Sequence, residues 1–397
     1  MSIQSAHKRS FAHLSALPTL ASNRMIAFIG SSMVGVFLPI YIFEFFGLSL
    51  PFVLAWFAIN FAFKLPFYVI AAKIFSQTGL VASMVLGTIG LIIFYWMFFL
   101  LDHGSSINPF FLMAIGIGGL MLDGVFYWSP YHIDFAKFSD ANHRGKQLGM
   151  YYGLQEAISI LTPITAAFIL TRFGYKMNFF VGLLLTAASI IPLFFVSKYK
   201  VTYEFGYFES FRKLFSKKYI AMTLSMAALG AENIVGVIVW PIFLFSVFQG
   251  NYLEVGFATA VIVVISMIVE LIVGRQIDRL TARKMLKFGS WIYALGWIAK
   301  GFVQTITGVF AASTFHSFGS IMMRMPLDTM SYQQAADSGH YIDEFTVLRE
   351  MAIGIGRVVI LIILIPVTMN FSIGSAFFIA AIVSLGVNWL ARYKTQE

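Results

Sequence analysis

Apolar runs about long enough to cross a bilayer follow one another along this 397-residue chain, and few folds tolerate that pattern. A spanning helix needs about 20 consecutive apolar residues. Runs bounded by charges, Gly or Pro fall at 25–47, 51–73, 80–101, 109–131, 147–170 and 177–197. Six more fall at 219–247, 252–274, 285–305, 306–328, 344–366 and 372–391. Charged residues make up 11% of the chain and hydrophobic ones 59%, where soluble domains carry about 25% charged residues. The polar surface that several soluble domains would need is therefore missing. A membrane β-barrel is excluded as well, because the runs are continuous and not alternating. The chain is expected to be a polytopic helical membrane protein.

Charge placement gives the expected orientation. Of the 27 Lys and Arg, 20 fall in segments that share one side if both termini are cytoplasmic, and only Arg172 and Lys176 fall opposite. The net charge of +9 is accordingly read as loop charge that orients the helices, with no nucleic-acid partner expected. Residues 1–24 and 392–397 are expected as cytoplasmic tails, and the first apolar run, from Met25, is expected to direct insertion itself. Residues 198–218 hold Lys198, Lys200, Arg212, Lys213, Lys217 and Lys218 around a Phe/Tyr-rich middle. A basic amphipathic stretch of this kind prefers an anionic membrane surface, so it reads as a surface-lying linker. The absence of cysteine removes disulfides and thiolate metal sites.

The two halves repeat. Gly35-Val36-Phe37-Leu38-Pro39-Ile40 returns as Gly236-Val237-Ile238-Val239-Trp240-Pro241-Ile242, one residue longer, and Met177-Asn178-Phe179 returns as Met369-Asn370-Phe371. Lys73 corresponds to Arg275, and the Glu156/Pro163 pair to Glu350/Arg357, each pair seven residues apart. Duplicated six-helix units related by an axis along the membrane normal are a known carrier plan. The fold class expected is thus all-α, with twelve transmembrane helices in two pseudo-symmetric six-helix bundles, residues 25–197 and 219–391.

Between the eighth and ninth runs the chain reads Gly274-Arg275-Gln276-Ile277-Asp278-Arg279-Leu280-Thr281-Ala282-Arg283-Lys284. This resembles the cytoplasmic signature of the major facilitator superfamily: Gly, Asp-Arg four and five residues on, then Arg-Lys. Glycine lets two helices approach closely, and an acid can cap the positive end of a neighbouring helix. The resemblance implies the twelve-helix fold, alternating access, and a cytoplasmic latch formed by Asp278 with Arg279 and Arg283. The first-half counterpart, Ala71 to Gly79, has no acid and keeps Lys73 as its one base. The fifth run keeps Gly149 and Pro163 of the antiporter motif but has Ile158, Thr162, Ala166 and Ala167 where that motif has glycines. The subfamily stays open.

Ionisable groups inside a span are costly unless paired or wet, so each is a candidate for function. Lys64, Asp123 and Glu156 lie about 12–14 Å from the cytoplasmic end at 1.5 Å per residue. One cation flanked by two acids can hold or release a proton. Glu232, Asn233, His316 and Arg357 fall near the midplane of the second half. Arg357 reads as the counter-ion of Glu232 or of an anionic substrate, and His316 as a proton relay. Expected proton-coupling residues are Glu156, Asp123, Lys64, Glu232 and His316. Glu270, Arg349 and Glu350 join Gly274, Asp278, Arg279 and Arg283 as expected gate residues. Lys300 reads as an outer-edge cation that snorkels, and Glu44 and Arg324 as span-edge charges without a special role.

Among the aromatics, Trp240 beside Pro241, with Tyr127 and Tyr152, are candidate substrate contacts alongside Arg357 and Asn233. Pro39, Pro66, Pro163 and Pro241 should kink their helices. No nucleotide loop, nucleophile elbow or metal motif is present in the sequence, so neither a cofactor nor a metal is expected, and neither is enzymatic activity. The expectation is a monomeric secondary transporter of a small organic solute in the inner membrane, surrounded by lipid, working by rocker-switch alternating access with protons as the coupling ion. The alternatives are an uncoupled facilitator, a lipid-like solute or drug efflux carrier, or a receptor-like protein on the same fold.

Overall fold

The computed structural model describes residues 3–138, 144–196, 201–274, 281–337 and 339–392, and all of their regular structure is helical. The helices are α1 (Ile3–Gly35), α2 (Phe37–Phe45), α3 (Leu50–Lys64), α4 (Phe67–Thr78), α5 (Leu80–Asp102), α6 (Pro109–Phe126), α7 (Trp128–Phe138) and α8 (Arg144–Leu193). After these come α9 (Tyr207–Leu214), α10 (Ile220–Ile234), α11 (Trp240–Val247), α12 (Tyr252–Gly274), α13 (Ala282–Gly301), α14 (Ile306–Asp337), α15 (Ile342–Asn370) and α16 (Ser375–Ser384).

Local chemistry sets several boundaries. The Asn108 side chain accepts a hydrogen bond from the Phe110 N–H at 2.9 Å, and Pro109, which has no N–H to leave orphaned, opens α6. Pro66 separates α3 from α4 by removing an amide donor. Within α8, Gly174 adopts φ 78°, ψ 179° and divides it into two helices. The Lys176 N–H that this break frees is taken by the Asp102 carboxylate at 2.7 Å. Pro241 likewise removes a hydrogen bond to the preceding turn, and Val235–Val239 widens into a π turn between α10 and α11. The residue by which this segment exceeds its first-half counterpart is thus absorbed in a wider turn.

Among the described residues seven helices are long and apolar enough to cross a membrane, and α3 with α4 would make an eighth span. The 41-residue stretch Gly153–Leu193 covers two expected spans, parted at Gly174. The ninth, tenth and twelfth expected runs fall on α13, α14 and α16. The first two are less apolar because they carry Lys300, Arg324 and Asp328 among other charges. Large apolar side chains such as Phe168, Ile191, Ile362 and Ile382 are exposed, as expected of a surface solvated by lipid and not by water.

By proximity the chain forms two compact units, Met1–Val34 with Pro66–Glu204 and Gly35–Leu65 with Phe205–Glu397. In the first, α5 packs on α6 and α8. Gly90 and Gly119 meet where α5 crosses α6, and Gly116 lies against Phe98, so the Gly-rich stretch of α6 is a packing face. Tyr127 stacks on Tyr131 and donates to Asn23 at 2.8 Å, while Asn23 donates to the Ser189 carbonyl at 2.6 Å.

In the second unit α10 packs on α15, α13 on α14, and α3 along α15. At the α10–α15 crossing, a Cβ on Gly356 would run into the backbone of Ala227, and one on Gly230 into the backbone of Ile353. Such contact through backbone replaces the hydrophobic drive that lipid removes. Gly356→Ala must push the helices apart and should lower the unfolding temperature of the purified protein by several degrees, an overpacking cost of about 1–3 kcal/mol. Gly118→Ala, with nothing within 4 Å of the new methyl, should leave it unchanged.

Candidate functional site

Tyr293, Trp297 and Lys300 are spaced four and three residues apart on α13, which places them on one face of the helix. That face is drawn tightly onto α14 by small residues. A Cβ on Gly296 would come within 2.7 Å of His316 Cα, and one on Gly319 within 2.5 Å of the Tyr293 nitrogen. The His316 ring consequently lies 4.4 Å from that of Tyr293 and 4.5 Å from that of Trp297.

Glu232 on α10 points into this cluster and is fully buried. The Tyr293 hydroxyl donates to its Oε2 at 2.5 Å, and Arg324 Nη2 donates to its Oε1 at 2.8 Å. Both carboxylate oxygens are thereby engaged, the arrangement an enclosed charge requires. Lys300, only 5% exposed, holds Nζ 4.1 Å over the Trp240 ring and 4.6 Å over that of Trp297. Trp240 is the first residue after the π turn. Lys300 is also within electrostatic reach of Glu232. His316 Nε2 is enclosed without a hydrogen-bond partner among the described residues. One turn beyond Arg324 on α14, Asp328 interacts electrostatically with Arg324 and with Arg349 of α15, and Arg349 donates to Glu350 at 3.0 Å. Acid and base alternate from Glu232 through Arg324, Asp328 and Arg349 to Glu350.

Three expectations are corrected here. Of the two roles expected for Arg357, that of counter-ion to Glu232 falls instead to Arg324, which projects from α14, the helix packed against α13. Lys300 does not snorkel outward, since its stem and ammonium are enclosed between two indoles. Arg324 and Glu44 both have definite partners: Glu44 accepts a hydrogen bond from the Tyr252 hydroxyl at 2.6 Å.

Arg357, half-buried on α15, lies over Phe61 of α3 with its guanidinium carbon 5.0 Å from the ring centre, and Lys64 Nζ is 4.9 Å from that same centre. Asn233 is half-buried beside Glu232. Asp123 and Glu156, both half-buried, belong to the first compact unit, whereas Lys64 belongs to the second. Asp123 is within electrostatic reach of the buried Tyr95. Tyr127 lies in the packed core of the first unit with its hydroxyl committed to Asn23. Glu270 is half-buried on α12, which ends at Gly274, and Arg283 is exposed in the first turn of α13. Asp278 and Arg279, and the Tyr152 side chain, lie outside the described residues.

Sequence reasoning overlooked Tyr293, Trp297, Lys300 and Arg324 as a group. The signal was the four-three spacing on the ninth run, facing His316 and Arg324 eight residues apart on the tenth. Arg324→Gln would leave Glu232 enclosed without its cation and should destabilise the protein by about 3–5 kcal/mol. The double variant Glu232→Gln/Arg324→Gln should recover part of that loss. Thermal unfolding of the four proteins in one detergent gives the coupling directly.

The sequence profile of the Major Facilitator Superfamily matches residues 20–235. No curated protein matches the chain. Solved structures do. A POT family transporter crystallised with 5-aminolevulinic acid is similar with TM-score 0.69 and 10% identity, over 94% of each chain. A D-xylose-proton symporter is similar with TM-score 0.67 and 14% identity, over 96% of this chain and 97% of its own. The human organic anion transporter MFSD10 (TETRAN) is similar with TM-score 0.65 and 12% identity, over 96% of this chain and 99% of its own. At these identities the structures establish a shared fold, and the profile match covers more than half of the sequence. The chain is a multi-pass membrane protein of the Major Facilitator Superfamily, a transporter and not an enzyme.

Proposed function

We propose that the protein is a proton-coupled secondary transporter of a small organic solute, with Glu232 as the group that carries the proton. The observation that supports this most directly is the enclosure of Glu232 with Tyr293 and Arg324 on its two oxygens. A carboxylate held in apolar surroundings by one cation changes its whole environment on gaining a proton. Arg324 then loses its partner on α10 and has Asp328, one turn along its own helix, as the alternative acid. Handing a guanidinium from one acid to another converts proton occupancy into a preference between helix arrangements. Similarity in fold to a D-xylose-proton symporter is consistent with that coupling.

In this reading Asp123, Glu156 and Lys64 serve as further proton-linked groups, with His316 beside the Glu232 cluster. Asp278, Arg279, Arg283, Gly274, Glu270, Arg349 and Glu350 form the cytoplasmic gate, and the two halves alternate by a rocker-switch. Arg357, Asn233 and Trp240, with Tyr152, are the proposed solute contacts, while Tyr127 packs. The protein is placed in the inner membrane as a monomer, with both termini cytoplasmic and lipid around it.

Proteoliposomes containing a pH-sensitive dye, challenged with a panel of small organic solutes, test the coupling. The expected result is solute-dependent proton movement by the unaltered protein. Glu232→Gln should abolish accumulation driven by a pH gradient while retaining solute exchange at equal pH. Gradient-driven uptake that survives both Glu232→Gln and Glu156→Gln would overturn proton coupling.

A further inference from the structure

α3 runs along α15, and there Phe61 meets Arg357. With Glu232 taken by Arg324, Arg357 makes no ion pair among the described residues, and its Nε is enclosed without a hydrogen-bond acceptor. A guanidinium cannot shed its charge. Inside a membrane span it is tolerated when water or a counter-charge meets it. The neighbours on α3 supply no counter-charge. Phe61 offers a ring, whose centre lies 5.0 Å from the guanidinium carbon, and no oxygen acceptor. Asn60, beside Phe61 and one turn before Lys64, is 2% exposed, and its Nδ2 has no acceptor.

Arg357 can only donate, and its Nε and the Nδ2 of Asn60 both lack an acceptor among the described residues. An occupant that satisfies such a set must bring oxygen acceptors and negative charge. The Nε–Nη edge of an arginine matches the two oxygens of a carboxylate, and the Phe61 ring provides an apolar wall beside it. We propose that Arg357, Phe61 and Asn60 form the binding site for the anionic group of the transported solute, which is a small organic anion bound through its carboxylate. This rests on the transporter reading above but is independent of proton coupling.

Anionic lipid headgroups share the oxyanion chemistry, so the test separates the two sources. Unfolding of the full-length protein in a neutral detergent is followed by tryptophan fluorescence while sodium benzoate or hexanoate is titrated against benzamide or hexanamide. In a parallel arm phosphatidylglycerol is added in place of the carboxylate. The expected result is a saturable rise in unfolding temperature with at least one carboxylate and none with its amide. Arg357→Gln should weaken that binding about tenfold or more, Arg357→Lys less, because a point charge replaces a two-toothed donor. Asn60→Leu should weaken it while preserving the fold, and Arg172→Gln, which removes an exposed charge, should not change it. Equal shifts with acid and amide, no shift with either carboxylate, a shift with phosphatidylglycerol alone, or full retention in a folded Arg357→Gln protein would each overturn the site. Carboxylate binding without any solute exchange in proteoliposomes would instead sink the transporter reading and leave the site standing. Exchange of neutral solutes undisturbed by Arg357→Gln would do the reverse.

Discussion

A carboxylate enclosed among apolar helices sets the terms for everything around it. Glu232 has no exposure to solvent, and an ion so placed costs several kcal/mol after relaxation unless charge and hydrogen bonds meet it. The helices that meet it are α13, through Tyr293, and α14, through Arg324. Those two helices are also less apolar than most of the others, since the polar groups that disqualify them as featureless spans are the ones that hold the acid. The cluster is bounded on its far side by Lys300 between two indoles, where the ring faces stand in for water around an ammonium.

Such close quarters depend on backbone contact. Lipid gives apolar helices no reason to prefer one another, so association rests on packing and on hydrogen bonds. Gly289, Gly296 and Gly319 bring α13 and α14 together, and Gly230 and Gly356 do the same for α10 and α15. The positions that govern packing and the positions that carry charge therefore interleave on the same helices. Gly296 decides how near His316 comes to Trp297, and Gly356 sits one residue before Arg357. Adding a methyl group at these places would alter electrostatics as well as fit.

The span pattern, the helix break at Pro66, the distortion ahead of Pro241, and the superfamily were all legible in the sequence, because they depend on local composition and on a contiguous motif. Glu232, His316 and Arg357 were legible as individual costs, since a charge within an apolar run announces itself. Their partners were not. Offering Arg357 as counter-ion of Glu232 or of a substrate used depth along the helix alone, and depth says nothing about azimuth. Which of two cations faces an acid is decided by helix rotation, and rotation here follows from glycines that read in sequence only as small residues. Lys300 was misjudged for a related reason: its position near a helix end suggested an escape to water, but the two tryptophans that enclose it lie one turn and sixty residues away.

The π turn at Val235–Val239 has a consequence for how the two halves of the chain have diverged. One extra residue in a regular helix would swing every later side chain by about 100°. A π turn takes up that residue locally, so the side chains beyond it keep their bearing. Trp240, the first residue past the turn, presents its ring to Lys300 from a helix that is one residue longer than its first-half counterpart yet not rotated by the difference.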